Sequence, residues 1–187
     1  MAKRKLTANE IKLAKIIFGD TIDYDKVRIT NRIPGLFKKS VGGMCTGNAI
    51  NTSKDTYCDD YDASYRKSFF IHEMTHIWQF QHSPSYLGKK LIKELATHHF
   101  NYMAKAYQYD LEDGKPFDDY GLEQQAGIVQ DYFAVRFNKG SGFSHKCISK
   151  IDREEFLKRA EKILAPHFPA IKTSADNKPS SKPNTPK

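Results

Sequence analysis

Phe69 to Gln81 reads FFIHEMTHIWQFQ, and on this stretch the reading of the whole chain turns. From Ala63 or Ser64 to about Gln81 there is no glycine or proline, and Phe69, Phe70, Ile71, Met74, Ile77, Trp78 and Phe80 crowd the segment. Apolar density of that kind predicts a mostly buried helix. Inside it stand His72, Glu73 and His76, polar groups that are costly to bury without partners. The helix therefore needs a reason to carry them.

A metal ion is such a reason. Histidines four apart share one helix face, about 6 Å apart along the axis. Both imidazoles can then reach one tetrahedral Zn²⁺ at about 2.0–2.1 Å. Glu73 projects beside that point, where its carboxylate can take a proton from a water activated by the metal and pass it to a leaving amine. Histidine and carboxylate donors are those zinc typically uses, although neighbouring divalent metals accept them too.

A catalytic site needs a third protein ligand and an open fourth position. His82 completes a His-Glu-x-x-His-x-x-Gln-x-x-His run, close to the metzincin pattern except that Gln79 replaces the glycine at which the chain turns. If the helix continues, His82 lies about 15 Å along the axis from His72, too far to share the metal. Glu123 opens a later helix at Glu123-Gln124-Gln125-Ala126, and a second helix packed on the first can deliver a carboxylate in the gluzincin manner. That geometry favours Glu123. Gln79 falls on the face of His72 and His76, where it either hydrogen-bonds a ligand or substrate or packs. Tyr109, Tyr120, Tyr132, His98, His99 and His145 are conceivable oxyanion donors, and Glu94, Glu112 and Asp131 are lesser carboxylate candidates.

Around the central element the pattern predicts an α+β domain, mainly helical, with a small antiparallel sheet. Thr7 to Phe18 follows a Thr-Ala-Asn-Glu opening with helical apolar spacing, and Gly19 ends it. Tyr24 to Ile29 and Ala49 to Tyr57 read as strands, with Pro34-Gly35 and Gly42-Gly43 as turns. A helix from Tyr86 to Ala106 follows the Ser83-Pro84-Ser85 break. Another runs from Tyr120 to about Phe137 behind a cap at Asp118 or Asp119, and a last one from Ile151 to Leu164 begins at Asp152. One domain over residues 1–170 is expected, with a disordered basic tail over 171–187.

The 187 residues are 39% hydrophobic, enough for one core, and carry a formal charge of +8. Much of that charge sits at the ends, in Lys3, Arg4 and Lys5 and in Lys172, Lys178, Lys182 and Lys187. This fits solvated extensions better than a groove for specific nucleic acid. No run approaches the roughly 20 apolar residues a membrane span needs, and MAKRKLTANE lacks the apolar core of a signal peptide. The expectation is synthesis in the cytoplasm, with any export independent of a signal peptide. Cys45, Cys58 and Cys147 are too scattered for a disulfide framework, leaving one Cys45–Cys58 bridge conceivable in an oxidising compartment.

Three segments carry a family resemblance: Glu10 to Ile29 (EIKLAKIIFGDTIDYDKVRI), Phe70 to Gln81 (FIHEMTHIWQFQ) and Tyr107 to Phe133 (YQYDLEDGKPFDDYGLEQQAGIVQDYF). Together they resemble the metallopeptidase domain of bacterial type VI secretion effectors, a family that includes C-terminal extensions of VgrG spike proteins. The resemblance covers most of residues 6–137, and Gly127 stands where it implies a larger residue. It implies a small zincin-like α+β fold with one Zn²⁺ held by His72, His76 and Glu123, and with Glu73 catalytic. It also implies delivery into the periplasm of a competing bacterium, a peptide or protein substrate, a cognate immunity protein, and a secretion spike or adaptor as partner. Two other readings are carried beside it. One is a cytoplasmic housekeeping zinc protease; the other is a binding module that keeps zinc without catalysis, against which the intact Glu73 argues.

Overall fold

The computed structural model describes residues 3–33, 42–82, 107–137, 147 and 150–171. The expected helix Tyr86–Ala106 and the basic tail beyond residue 171 lie outside them. The described residues form a mixed α+β fold of four helices and one four-stranded sheet.

Helix α1, Ala8–Phe18, starts as its sequence dictates. Thr7 accepts from the Glu10 backbone N–H at 3.1 Å and Glu10 accepts from the Thr7 N–H at 2.8 Å, a reciprocal capping box. Gly19 closes the helix at φ 54°, a conformation that suits glycine. Glu10, fully buried, also accepts from Arg4 at 2.7 Å on each oxygen and from the Tyr61 N–H at 2.9 Å. One carboxylate thus ties the first strand and the approach to the central helix onto α1.

The sheet is mixed where an antiparallel one was expected. Its strands β1 (Lys3–Arg4), β2 (Arg28–Thr30), β3 (Gly43–Thr46) and β4 (Ala49–Thr52) lie in the order β1-β2-β4-β3. β1 with β2 and β3 with β4 are antiparallel, but β2 and β4 run parallel, pairing Ile29 with Ile50. The cause is connectivity. β3 and β4 form a hairpin through Gly47, at φ 60°, and Asn48, and this hairpin places β4 inward against β2 and leaves β3 at the edge. A parallel neighbour needs a crossover, which no short local turn announces. Gly43, expected in a turn, is the first residue of β3. A Cβ there would stand 2.5 Å from the Phe69 ring, so glycine lets the edge strand approach the central helix.

That helix, α2, spans Lys67–His82, starting a turn later than expected. Phe70, Ile71, Met74 and Ile77 are fully buried. At about 1.5–3 kcal/mol for each such side chain, their burial offsets the cost of placing His72, Glu73 and Gln79 in the same interior. α2 packs lengthwise on α3 (Leu122–Phe137), and α3 on α4 (Arg153–Leu164), which Asp152 caps by accepting from the Glu155 N–H. Phe156, Leu164 and Phe168 extend the core, and Ile171 still packs against it.

α3 is not capped by Asp118 or Asp119. Both lie in a 3-10 turn, Phe117–Asp119, that Pro116 leads into, and they face solvent. Gly121 precedes the helix instead, its N–H donating to the Gln124 side chain at 2.9 Å. Gly127, where a larger residue was implied, faces Tyr109. A Cβ there would stand 3.3 Å from that ring, and the Tyr109 hydroxyl donates to buried Asp131 at 2.6 Å.

Candidate metal centre

α2 and α3 meet where His72 and His76 of α2 face the first turn of α3, with Glu73 next to His72 in the chain. Glu123 lies in that turn, where the free N–H groups and helix dipole favour a carboxylate. Glu123 Oε2 is 3.2 Å from His72 Nε2 and 3.4 Å from His76 Nε2. The two imidazoles stand edge to face with centroids 5.0 Å apart. One ligand atom from each of the three residues lies within 4.8 Å of the other two, the one such group of three or more among the described residues.

Two imidazoles and a carboxylate are the donor set of a His₂Glu zinc site, and the surroundings fit a cation. Nδ1 of His72 and Oε2 of Glu73 are buried without a hydrogen-bond partner among the described residues. Burial pushes the Glu73 carboxyl up from its ordinary range, against the pull of His72 and His76. Burial alone would lower His76, but Glu123, with Glu73 and Gln79 beside it, raises it to about 9. Burial likewise opposes the charge on Glu123, yet His76 and His72 hold its carboxyl well below the usual carboxylate range. Without a metal, Glu123 and His76 thus neutralise one another.

His82 does not join this group. α2 continues through it, and its ring stacks on Trp78 at 4.8 Å with Nδ1 3.0 Å from the Trp78 carbonyl oxygen. Gln79 does more than pack, since its Oε1 is 2.8 Å from His76 Nδ1. The Tyr109 hydroxyl is committed to Asp131, and that of Tyr120 donates to the Asp110 carbonyl at 3.1 Å. Tyr132 is buried in the core, while Glu112 is exposed and pairs with Lys115. His98, His99, His145 and Glu94 lie outside the described residues.

Three neighbours were not singled out from sequence. Tyr107 lies with its ring 6.2 Å from that of His72, Cys45 on the edge strand donates to the Glu73 carbonyl at 3.1 Å, and Gln125 holds Gln79. Burial pushes the Cys45 thiol up, and Glu73 and Glu123 add to the shift. Cys45, Cys58 and Cys147 are free thiols. None of these contacts leaves a periodic trace in the chain. No described helix is long and apolar enough to cross a membrane.

No family model matches the chain. Over 138 residues, 71% of its length, it is 38% identical to the type VI secretion system spike protein VgrG2b of Pseudomonas aeruginosa, of which it spans 13%. The solved effector domain of Pseudomonas aeruginosa VgrG2b matches with a TM-score of 0.58 at 35% identity, covering 75% of this chain and 79% of that one. With both sequence and fold shared over most of that domain, the chain belongs to the family of type VI secretion effector domains that includes the effector domain of VgrG2b.

Proposed function

We propose that this domain is a zinc-dependent endopeptidase, delivered with a type VI secretion spike and toxic in the periplasm of a target bacterium. The observation that carries the reading is the convergence of His72 Nε2, His76 Nε2 and Glu123 Oε2 beside a buried Glu73 whose Oε2 has no partner among the described residues. His72, His76 and Glu123 would hold the ion, leaving the fourth position open. When bound, zinc would polarise the scissile carbonyl and make water a competent nucleophile near neutral pH.

The chain's own residues supply the rest. Glu73, its carboxyl raised by burial, is poised to accept the proton of the attacking water. The same carboxyl, now protonated, gives that proton to the amine as the C–N bond breaks. The new C–O bond and the released amine balance the step. A site that kept zinc for structure alone would have no use for a buried carboxylate with an unmet oxygen.

Family membership supports the cellular half of the reading, with a cognate immunity protein protecting the producer. The test is expression in a laboratory bacterial host with and without an export leader. Growth should stop only when the wild type is exported, and Glu73→Gln should be harmless in both places. Unimpaired growth with the exported wild type, or equal toxicity of Glu73→Gln, sinks the proposal.

A further inference from the structure

His76 is held on two sides, by Glu123 at Nε2 and by Gln79 at Nδ1, and the second contact belongs to a chain of amides whose direction can be worked out. Gln125 Nε2 lies 3.1 Å from the Phe117 carbonyl oxygen and 3.2 Å from that of Tyr120. Backbone carbonyls only accept, so this atom is the amide nitrogen and the oxygen of Gln125 points the other way. There it meets Gln79 Nε2 at 2.8 Å, and the same nitrogen reaches the Leu122 carbonyl at 3.1 Å. Both N–H groups of Gln79 are thereby used, and its oxygen must be the atom facing His76. An amide oxygen accepts, so Nδ1 of His76 carries the proton, and in the neutral ring the lone pair lies on Nε2.

We infer that Gln79 and Gln125 are positioning residues for the metal, a one-way relay that fixes the tautomer and ring orientation of His76 so that Nε2 faces His72 and Glu123. The inference rests on the metal reading above. His72 has no counterpart, its Nδ1 being buried without a partner among the described residues. His76 is thus the ligand whose geometry the protein fixes in advance. The relay also joins the two helices. Gln79 belongs to α2, while Leu122 and Gln125 flank Glu123 in the first turn of α3, so one buried amide sets the approach of both ligands. A hydrogen-bonded second nitrogen makes an imidazole a more basic ligand, and losing such a partner typically costs about 10–100-fold in metal affinity.

The test compares wild type with Gln79→Met, Gln125→Met and the double variant, since Met keeps the length and unbranched shape of Gln. Zinc affinity is read by competition with a chromogenic chelator, and folding by circular dichroism. Gln79→Met should lose about 10–100-fold in affinity. Gln125→Met should lose less, and the double variant no more than Gln79→Met alone, because Gln125 acts through Gln79. Equal affinity for wild type and Gln79→Met, or additive losses in the double variant, would overturn the relay.

A second readout needs no variant. Long-range ¹H–¹⁵N spectra of the zinc-loaded wild type should show His76 protonated at Nδ1, with zinc at Nε2. Ligation through Nδ1 would overturn the inference. If the wild type takes up no zinc, the metal reading fails by itself, and the relay is still tested in the metal-free protein at pH 10. Neutral His76 should there carry its proton on Nδ1, and a proton on Nε2 would overturn the relay.

Discussion

Glu123 Oε2 stands 3.2 Å from His72 Nε2 although 51 residues separate them in the chain. The contact is made by packing of α2 on α3, not by local sequence, and it turns a pair of helix histidines into a three-donor cluster. Electrostatically the carboxylate occupies the place of a counter-ion to His76, so the metal-free protein can bury these groups without leaving a net charge unmatched.

Among the described residues no hydrogen bond joins the Glu73 side chain to His72, His76 or Glu123, and one of its oxygens is buried with no partner. Glu73→Gln should therefore leave the fold and the zinc content intact while removing the proton acceptor. Peptide cleavage should fall about 10²–10⁴-fold, the usual worth of a general base. Parallel assays of zinc content and of cleavage of an unfolded protein substrate check this. Retained cleavage would remove Glu73 from the mechanism.

The metal-free protein should lose stability as pH rises. His76 has its pKa raised from 6.5 to about 9 in the folded state, so its contribution is fully present below 6.5 and disappears as pH climbs through about 9. Glu123 is depressed below its ordinary 4.5, so its contribution is present above that value and lost only in acid. Between pH 6.5 and 9 the melting temperature of the chelator-treated protein should fall. Zinc uptake at pH 7.5 should release a proton, since the ligand imidazole must be neutral. Calorimetric titration in buffers of different ionisation enthalpy measures that proton. A flat melting curve or no release would contradict the geometry at His76.

Glu10 is the structural counterpart of Glu123, a fully buried carboxylate with every contact satisfied. Removing one partner of a buried ion pair leaves the other uncompensated, here an Arg4 side chain that is 18% exposed. Glu10→Ala should destabilise the domain by about 3–5 kcal/mol, read by urea unfolding. A change under about 1 kcal/mol, the range of an exposed pair, would show that the fork is solvated in solution.

Much of the centre was legible because it is written in helical spacing. His72, Glu73 and His76 occupy one buried helix, and Thr7, Glu10 and Asp152 announce helix starts by chemistry that acts within a few residues. Helix rise speaks against His82, and α2 does continue through it; Glu123 rests on a second helix packed on the first in the gluzincin manner. The sheet was less legible. Strands of two to four residues have almost no period, and the pairing of β2 with β4 joins segments brought together only by the hairpin around Gly47. Gly43 reads as a turn in the sequence because glycine serves equally for turns and for close approach, and only the Phe69 ring tells which. Gln125 and Tyr107 act through side-chain contacts between elements, for which the sequence has no local signature.

Elemental analysis of the protein purified without added metal, for the wild type, His72→Ala, Glu123→Ala and His82→Ala, reads directly whether His72 and Glu123 hold zinc. One zinc per chain is expected in the wild type and in His82→Ala, and none in His72→Ala and Glu123→Ala. A wild type that holds no zinc and takes up none on titration would contradict this assignment, as would zinc kept by Glu123→Ala and lost by His82→Ala.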